Sequence, residues 1–339
     1  MAGGNKKKNA DLPELKRQIR ENSLKPLYLF YGNEAYLKDA YINEIKKAVP
    51  DNGFEDFNRI VLKGTDISFE EYDEAWDSFP MMADRRLIII SGSGIFGRVK
   101  EEQKDFWKER LSRCSEDTVV IFNEESVDKR GVIYKAFAKN GMAVEFETPD
   151  MPELVTFITG QCLRAKRKIR REHARLIAER CGDDLQSIVN ELNKLFDYCG
   201  EEITKSDVEA VVSKSLNVRV FDLTDAIMDR DAKKAAELLS ELQNDGDRAF
   251  SVMYLILSNV TKLLKTKLSG STNSTEVSRL IGVKEFIARK YISSAAKFSE
   301  EALAEMAARI PEIDYEIKLG KTDEWTALEQ YAAEAIYYS

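Results

Sequence analysis

One stretch constrains this 339-residue chain more than any other: Leu27-Tyr28-Leu29-Phe30-Tyr31-Gly32-Asn33-Glu34-Ala35-Tyr36-Leu37. Its first five residues are apolar with no alternation, which predicts a strand buried on both faces. A single glycine then turns the chain into a helix predicted at Asn33–Val49. The same unit recurs downstream. Strands are predicted at Leu27–Tyr31, Phe57–Leu62, Leu87–Ser91, Thr118–Asn123 and Ala143–Glu147. Helices are predicted between them at Asn33–Val49, Ser68–Ser78, Lys100–Arg113 and Lys129–Lys139, after a short helix at Leu12–Asn22. Leu87-Ile88-Ile89-Ile90 and Val119-Val120-Ile121-Phe122 are apolar throughout, as central parallel strands are. Strand-helix alternation with short connections predicts an α/β domain with a parallel sheet covered on both faces.

The turn at Gly32, Asn33 and Glu34 stands where a nucleotide-binding α/β fold carries its phosphate loop. That loop needs G-x-x-x-x-G-K-[ST]: glycines so that backbone N–H groups can surround phosphate, a lysine for its charge and a hydroxyl for Mg²⁺. Here one glycine remains, Glu34 places a carboxylate where anion-binding groups are wanted, and no Gly-Lys-Ser/Thr follows. The chain therefore reads as an NTPase-like fold without nucleotide chemistry, and no cofactor is expected. Asn123-Glu124-Glu125 imitates the acidic strand end that holds Mg²⁺ in such enzymes; with no phosphate to act on, it reads as structural.

The pattern changes at Thr148-Pro149-Asp150-Met151-Pro152-Glu153, where Asp150 can cap a helix with Glu153 three residues on. Everything after it reads as helix. Gly182 and Gly200 punctuate the next region, and Thr204 with Asp207 offers another cap. Further helices are expected at Ala232–Leu242, Ala249–Leu268, Thr275–Ile281, Lys284–Ala295, Ser299–Lys318 and Glu324–Tyr337. Three domains are expected: 1–148, 149–214 and 215–339.

Composition narrows the function classes. A net charge of −8 argues against a strongly basic nucleic-acid binder, while leaving local DNA contact open. Cys114, Cys162, Cys181 and Cys199 form no C-x-x-C and the sole histidine is His173, so no metal site is expected and a reduced, cytoplasmic setting is. His173 has no nucleophile in sequence context, and no catalytic residue is assigned. Met1–Ala10, with Lys6, Lys7 and Lys8, reads as a flexible tail rather than a signal peptide. Phe250–Leu268 is broken by Ser258, Asn259 and Lys262, which predicts a buried helix rather than a membrane span, and no membrane partner is expected.

An α/β NTPase-like domain with a helical lid resembles the AAA+ layout, and a further helical domain resembles that of clamp-loader subunits. The motifs sharpen this. Leu29–Leu37 resembles the opening of the bacterial DNA polymerase III delta subunit family, where a degenerate Gly-Asp-Glu-x-x-Leu replaces the phosphate loop. Phe79-Pro80-Met81-Met82-Ala83-Asp84-Arg85-Arg86-Leu87 is similar to that family's Pro-Phe-x-x-x-Arg-Arg-Leu segment. Asn190–Leu195, followed by Glu202-Ile203-Thr204, is similar to its Asn/Glu-Leu-x-Lys-Leu helix. Val220–Ile227 resembles its Phe-x-Leu-x-Asp-Ala-Ile signature, and Ile317–Gly320 with Ala327–Glu329 resembles its ending.

The resemblance implies a non-ATPase subunit of the clamp loader, itself part of a nucleotidyltransferase holoenzyme, that opens the sliding clamp for loading onto primed DNA. Its implied partners are the clamp and the tau/gamma and delta-prime types of subunit, joined in a ring through the third domain as a collar. An apolar pair in the first domain enters a pocket on the clamp; here it maps onto Pro80-Met81, with Phe79 and Met82 adjacent. Four apolar residues in a loop also suit a cap on the domain core. Arg85 and Arg86 read as a solvated pair, or as groups that orient this loop or touch the clamp. Ser112-Arg113-Cys114 matches an arginine-finger motif, but its place at a helix end makes the match fortuitous. Arg164, Lys166, Arg167, Lys168, Arg170 and Arg171, continued by Arg175 and Arg180, form a basic cluster that reads as a solvated face or a DNA-phosphate contact. Thr275–Lys290 resembles a helix-turn-helix unit. Two other functions stay open: an active AAA+ ATPase with an atypical loop, and a helix-turn-helix DNA-binding regulator.

Overall fold

The apolar runs assemble into one parallel sheet in the computed structural model, which describes residues 11–64, 67–97, 99 and 101–338. The expected tail at Met1–Ala10 lies outside the described residues. The chain divides into two units, Met1–Thr148 and Pro149–Ser339. The first contains α1 (Leu12–Arg20), β1 (Leu27–Tyr31), α2 (Ala35–Ala48), α3 (Glu55–Asn58), β2 (Arg59–Lys63), α4 (Phe69–Asp77), β3 (Arg86–Ser91), α5 (Glu101–Ser112), β4 (Thr118–Glu124), α6 (Val132–Asn140) and β5 (Met142–Glu145). The strands are all parallel, in the order β2-β3-β4-β1-β5.

The absence of alternation in β1, β3 and β4 has a direct cause. Leu27, Leu29 and Tyr31 face one core together with Ile88, Ile90, Val120 and Phe122, closed by Tyr72 of α4, Trp107 of α5 and Phe137 of α6. Tyr28 and Phe30 face a second core with Leu87, Ile89, Val119 and Ile121, closed by Leu15 of α1 and Ile42 and Ile45 of α2. The five buried side chains of β1 together contribute on the order of 10 kcal/mol. Exposed ion pairs such as Lys47–Glu44 contribute about 0–1 kcal/mol each, so burial sets this fold.

Two strands differ from expectation by more than one residue at an end. The run expected at Phe57–Leu62 begins as a helical turn, α3, and pairs only from Arg59 onward. Phe57 is consequently exposed, and Asn58 turns inward. The last strand is Met142–Glu145 rather than Ala143–Glu147. Phe146 still donates its N–H to the Tyr31 carbonyl at 2.7 Å, after which the chain leaves the sheet.

The second unit contains α7 (Met151–Arg164), β6 (Lys168–Ile169), α8 (Arg171–Cys181), α9 (Leu185–Tyr198), β7 (Glu202–Ile203), α10 (Lys205–Val211), α11 (Leu216–Met228), α12 (Ala232–Asn244), α13 (Ala249–Ser269), α14 (Ser274–Ile281), α15 (Glu285–Ala295), α16 (Glu300–Lys318) and α17 (Glu324–Tyr338). Capping boxes start α7 (Asp150 with Glu153) and α10 (Thr204 with Asp207). The expectation of helix throughout needs one correction: Lys168 and Ile169 pair in parallel with Glu202 and Ile203. Two residues per strand are too few to show a period in sequence. The helices α11–α17 share one apolar core. Within it Tyr291 donates to Asn259 Oδ1 at 2.8 Å, and Arg309 ties α16 to α17 through Glu334 at 2.7 Å. Among the described residues no helix is long and apolar enough to cross a membrane.

Candidate functional site

The turn after β1 is closed by its own backbone. Gly32 sits at φ +115°, and a Cβ there would lie 2.2 Å from the Phe146 carbonyl oxygen. The Gly32 N–H donates to the Glu125 carbonyl at 3.1 Å and the Glu34 N–H to the Phe146 carbonyl at 3.2 Å. The donors that a phosphate loop would aim at an anion are thus spent on protein oxygens. Glu34 is itself buried at the start of α2.

A buried polar cluster extends from this turn. Lys38 of α2 donates to the Glu124 carbonyl at 2.9 Å. The Glu124 carboxylate accepts the Ser93 N–H at 2.9 Å, the Ser93 hydroxyl, and the Gly94 N–H at 3.4 Å, so it fixes the loop that follows β3. Burial raises the Glu124 carboxyl above its ordinary range, against the pull of the Ser93 bonds and Lys38. Burial likewise lowers the Lys38 amine, while Glu125, Asp39, Glu124 and Glu34 oppose it. Glu124 here braces a loop. No group of His, Cys, Asp and Glu among the described residues could hold a metal ion.

The segment between α4 and β3 is built differently. Phe79 is 81% exposed, Met81 42% and Met82 76%, with Pro80 half-buried between them. These side chains do not cap the core. Their backbone, by contrast, is held. Asn58, only 2% exposed, accepts the Met81 N–H at 2.7 Å and donates to the Met81 carbonyl at 2.7 Å. Asn52 donates to the Met82 carbonyl at 3.0 Å, and Met82 takes a left-handed φ of +52°. At the end of the loop Arg85 donates to the Leu24 carbonyl at 3.3 Å. Arg86 is no solvated partner to it: the side chain is fully buried and bonds the Ala75 carbonyl, pinning α4 to the start of β3. An open cleft lined by Trp76, Phe79, Arg110 and Cys114 lies alongside.

The basic cluster is partly structural. Arg164, Lys166, Lys168, Arg170 and Arg171 are exposed around the end of α7, β6 and the start of α8. Arg170 lies 3.7 Å from Glu172 and 4.0 Å from Glu202. Arg167 and Arg180 depart from the set, each spent on a carbonyl: Arg167 on that of Phe196 at 3.0 Å and Arg180 on that of Val212 at 2.8 Å. Arg175 pairs with Glu179 at 2.8 Å. His173 faces the Ile203 carbonyl at 3.1 Å, a packing role. Arg113, past the end of α5, pairs with Glu109 at 2.9 Å. In the helix-turn-helix segment, Val277, Ile281 and Ala288 are buried in the helical core.

Asn58 and Asn52 escaped the sequence reading. An asparagine inside an apolar run, after Asp51-Asn52-Gly53, was the available signal, because asparagine is disfavoured in strands and favoured in turns.

A parallel five-stranded α/β unit with a turn closed on its own backbone and a displayed apolar loop, in a chain whose last helices share one apolar core, defines a two-unit α/β plus helical class of protein. The comparisons name the family. The model of the DNA polymerase III delta subunit matches residues 28–147, and that of its C-terminal domain matches residues 217–335. The chain is similar to the DNA polymerase III subunit delta of Bacillus subtilis, with 26% identity over 93% of this chain and 94% of that one. It is also similar to a probable subunit delta of Aquifex aeolicus, with 23% identity over 86% of each. In fold it matches the DNA clamp loader delta protein of B. subtilis, with a TM-score of 0.77 and 24% identity, covering 96% of this chain and 99% of that chain. The chain belongs to the DNA polymerase III delta subunit family.

Proposed function

We propose that this chain binds the ring-shaped sliding clamp through Phe79, Pro80, Met81 and Met82 and holds it open, as the delta subunit of the DNA polymerase III clamp loader. One observation carries the reading: three large apolar side chains stand exposed on a backbone that is fixed from beneath. A patch of this kind suits a pocket on a partner, where a few central apolar anchors supply about 2 kcal/mol or more each. Methionine fills irregular pockets well, and Phe79 and Met82 are displayed more fully than Pro80-Met81.

The chain by itself neither hydrolyses ATP nor makes phosphodiester bonds; the closed turn at Gly32, Asn33 and Glu34 supports this. Subunits of the tau/gamma and delta-prime types supply ATP hydrolysis, and residues 215–339 join the chain to them as a collar distinct from a small helical lid at 149–214. The exposed Arg164, Lys166, Lys168, Arg170 and Arg171 supply a local phosphate contact for primed DNA. The setting is the cytoplasm.

The decisive experiment is binding of the purified chain to the sliding clamp of the same organism, beside Phe79→Asp and Met81→Asp. Both side chains reach solvent, so the variants keep the fold. Loss of binding in properly folded variants is the expected result. Full affinity in both would remove this loop from the interface.

A further inference from the structure

We infer that Asn58 is the positioning residue of the apolar loop, holding it in its binding shape before the partner arrives; this rests on the reading of the loop as the clamp contact. Asn58 ends α3, one residue ahead of β2, and is shut off from solvent at 2% exposure. Its Oδ1 accepts the Met81 N–H and its Nδ2 donates to the Met81 carbonyl, both at 2.7 Å, and Nδ2 also donates to the Asp51 carbonyl at 3.1 Å. One carboxamide therefore grips both backbone groups of one residue, as a neighbouring strand would. Among side chains only asparagine and glutamine combine an acceptor with two donors in this way, and glutamine is one methylene longer. The grip explains a strained neighbour. Met82 holds a left-handed φ of +52° that non-glycine residues avoid, and it is fixed on either side by Asn58 and Asn52. A loop ordered in advance loses less conformational freedom when its side chains enter a pocket. Asn58 is shut off from solvent, so its effect on binding runs through the backbone N–H and carbonyl of Met81.

The test uses the full chain, clamp binding as a function of pH, and amide hydrogen exchange over Phe79–Asp84. Asn58→Ala should weaken clamp binding about tenfold and speed exchange at Met81, with β1 and β4 still protected. Asn58→Asp adds a readout that simple loss of packing would not give. A buried carboxylate repels the Met81 carbonyl, whereas the neutral acid both donates and accepts. Affinity of Asn58→Asp should therefore recover as pH falls. The charged groups on the same segment (Asp51, Glu55 and Arg59) and on the loop (Asp84 and Arg85) are common to both proteins, so the parent profile subtracts them. If Asn58→Ala binds as tightly as the parent while Met81→Asp does not, the inference fails and the loop stays the contact. Full binding by both Phe79→Asp and Met81→Asp would instead overturn the reading of the loop, and the inference with it. Should Asn58→Ala also lose protection in β1 and β4, the Asp variant decides: recovery at low pH supports positioning, and a flat loss overturns it.

Discussion

Gly32 sits where two constraints meet: a φ of +115° and a carbonyl oxygen 2.2 Å from any Cβ. Either alone disfavours a side chain, and no rotamer relieves a clash made by Cβ itself. Gly32→Ala should destabilise the chain by about 2 kcal/mol or more, visible as a lower urea midpoint at unchanged slope. An equal midpoint would mean that Phe146 can retreat freely. Glu124 poses the opposite problem, a carboxylate held in place at the cost of burial. Its folded pKa lies above the ordinary 4.5, so the folded chain binds the extra proton in the window above that value. Stability from this group is present at low pH and declines as pH rises through the folded value. Glu124→Gln keeps the acceptor for Ser93 and removes the titration. The stability of Glu124→Gln relative to the parent should therefore improve from pH 4 to pH 7; a constant difference would show that Glu124 titrates as it does in the unfolded chain. At this scale the sequence exposes the residue but not its reason. Gly32 and Glu124 stand out in their motifs, yet Phe146, 114 positions beyond Gly32, supplies the clash, and Ser93 supplies the bonds.

At the scale of elements, α7 begins with a closed local circuit. Asp150 accepts the Glu153 N–H at 3.0 Å, and Glu153 returns a bond to the Asp150 N–H at 2.9 Å. Asp150→Ala should cost about 1 kcal/mol, read from chemical denaturation, with the apolar contacts of Leu154 and Ile158 keeping the helix in place. No measurable loss would show that packing alone fixes the start of α7. Such caps were legible because every group in them lies within four residues. The central strands were legible for a related reason: burial on two faces leaves a continuous apolar run, which β1, β3 and β4 display. The α3 turn was not. Residues Phe57 to Leu62 look like a strand, yet the first two close a helical turn on the Phe54 carbonyl, and Asn58 bonds the backbone of Met81, 23 positions away. The β6–β7 pair was hidden similarly, since its partners are 34 positions apart and each is two residues long. The apolar loop lay between these extremes. Its residues were visible as four consecutive hydrophobic side chains, while exposure and backbone anchoring required the fold.

For the whole molecule, the closed turn and the exposed loop make one case about mechanism. On the reading proposed above, the chain has no hydrolysis of its own to drive a partner open. It can only bind one shape of that partner better than another, and the equilibrium shifts by that difference and no more. If the chain holds the clamp open, as proposed, the shape it prefers is the one that a broken ring interface allows. This yields a quantitative expectation: the chain should bind a clamp whose ring interface has been disrupted by mutation more tightly than the intact ring. Each tenfold gap in Kd corresponds to about 1.4 kcal/mol available for opening. If the proposed apolar loop makes the contact, that gap should change little with salt, whereas any DNA contact through Arg164, Lys166 and Lys168 should weaken steeply as salt rises. The comparison needs two titrations of the same purified chain, one against each clamp form, at low and high salt. Equal affinity for broken and intact rings would leave the loop as a tether and remove opening from what this chain does, since uniform binding shifts nothing however tight it is.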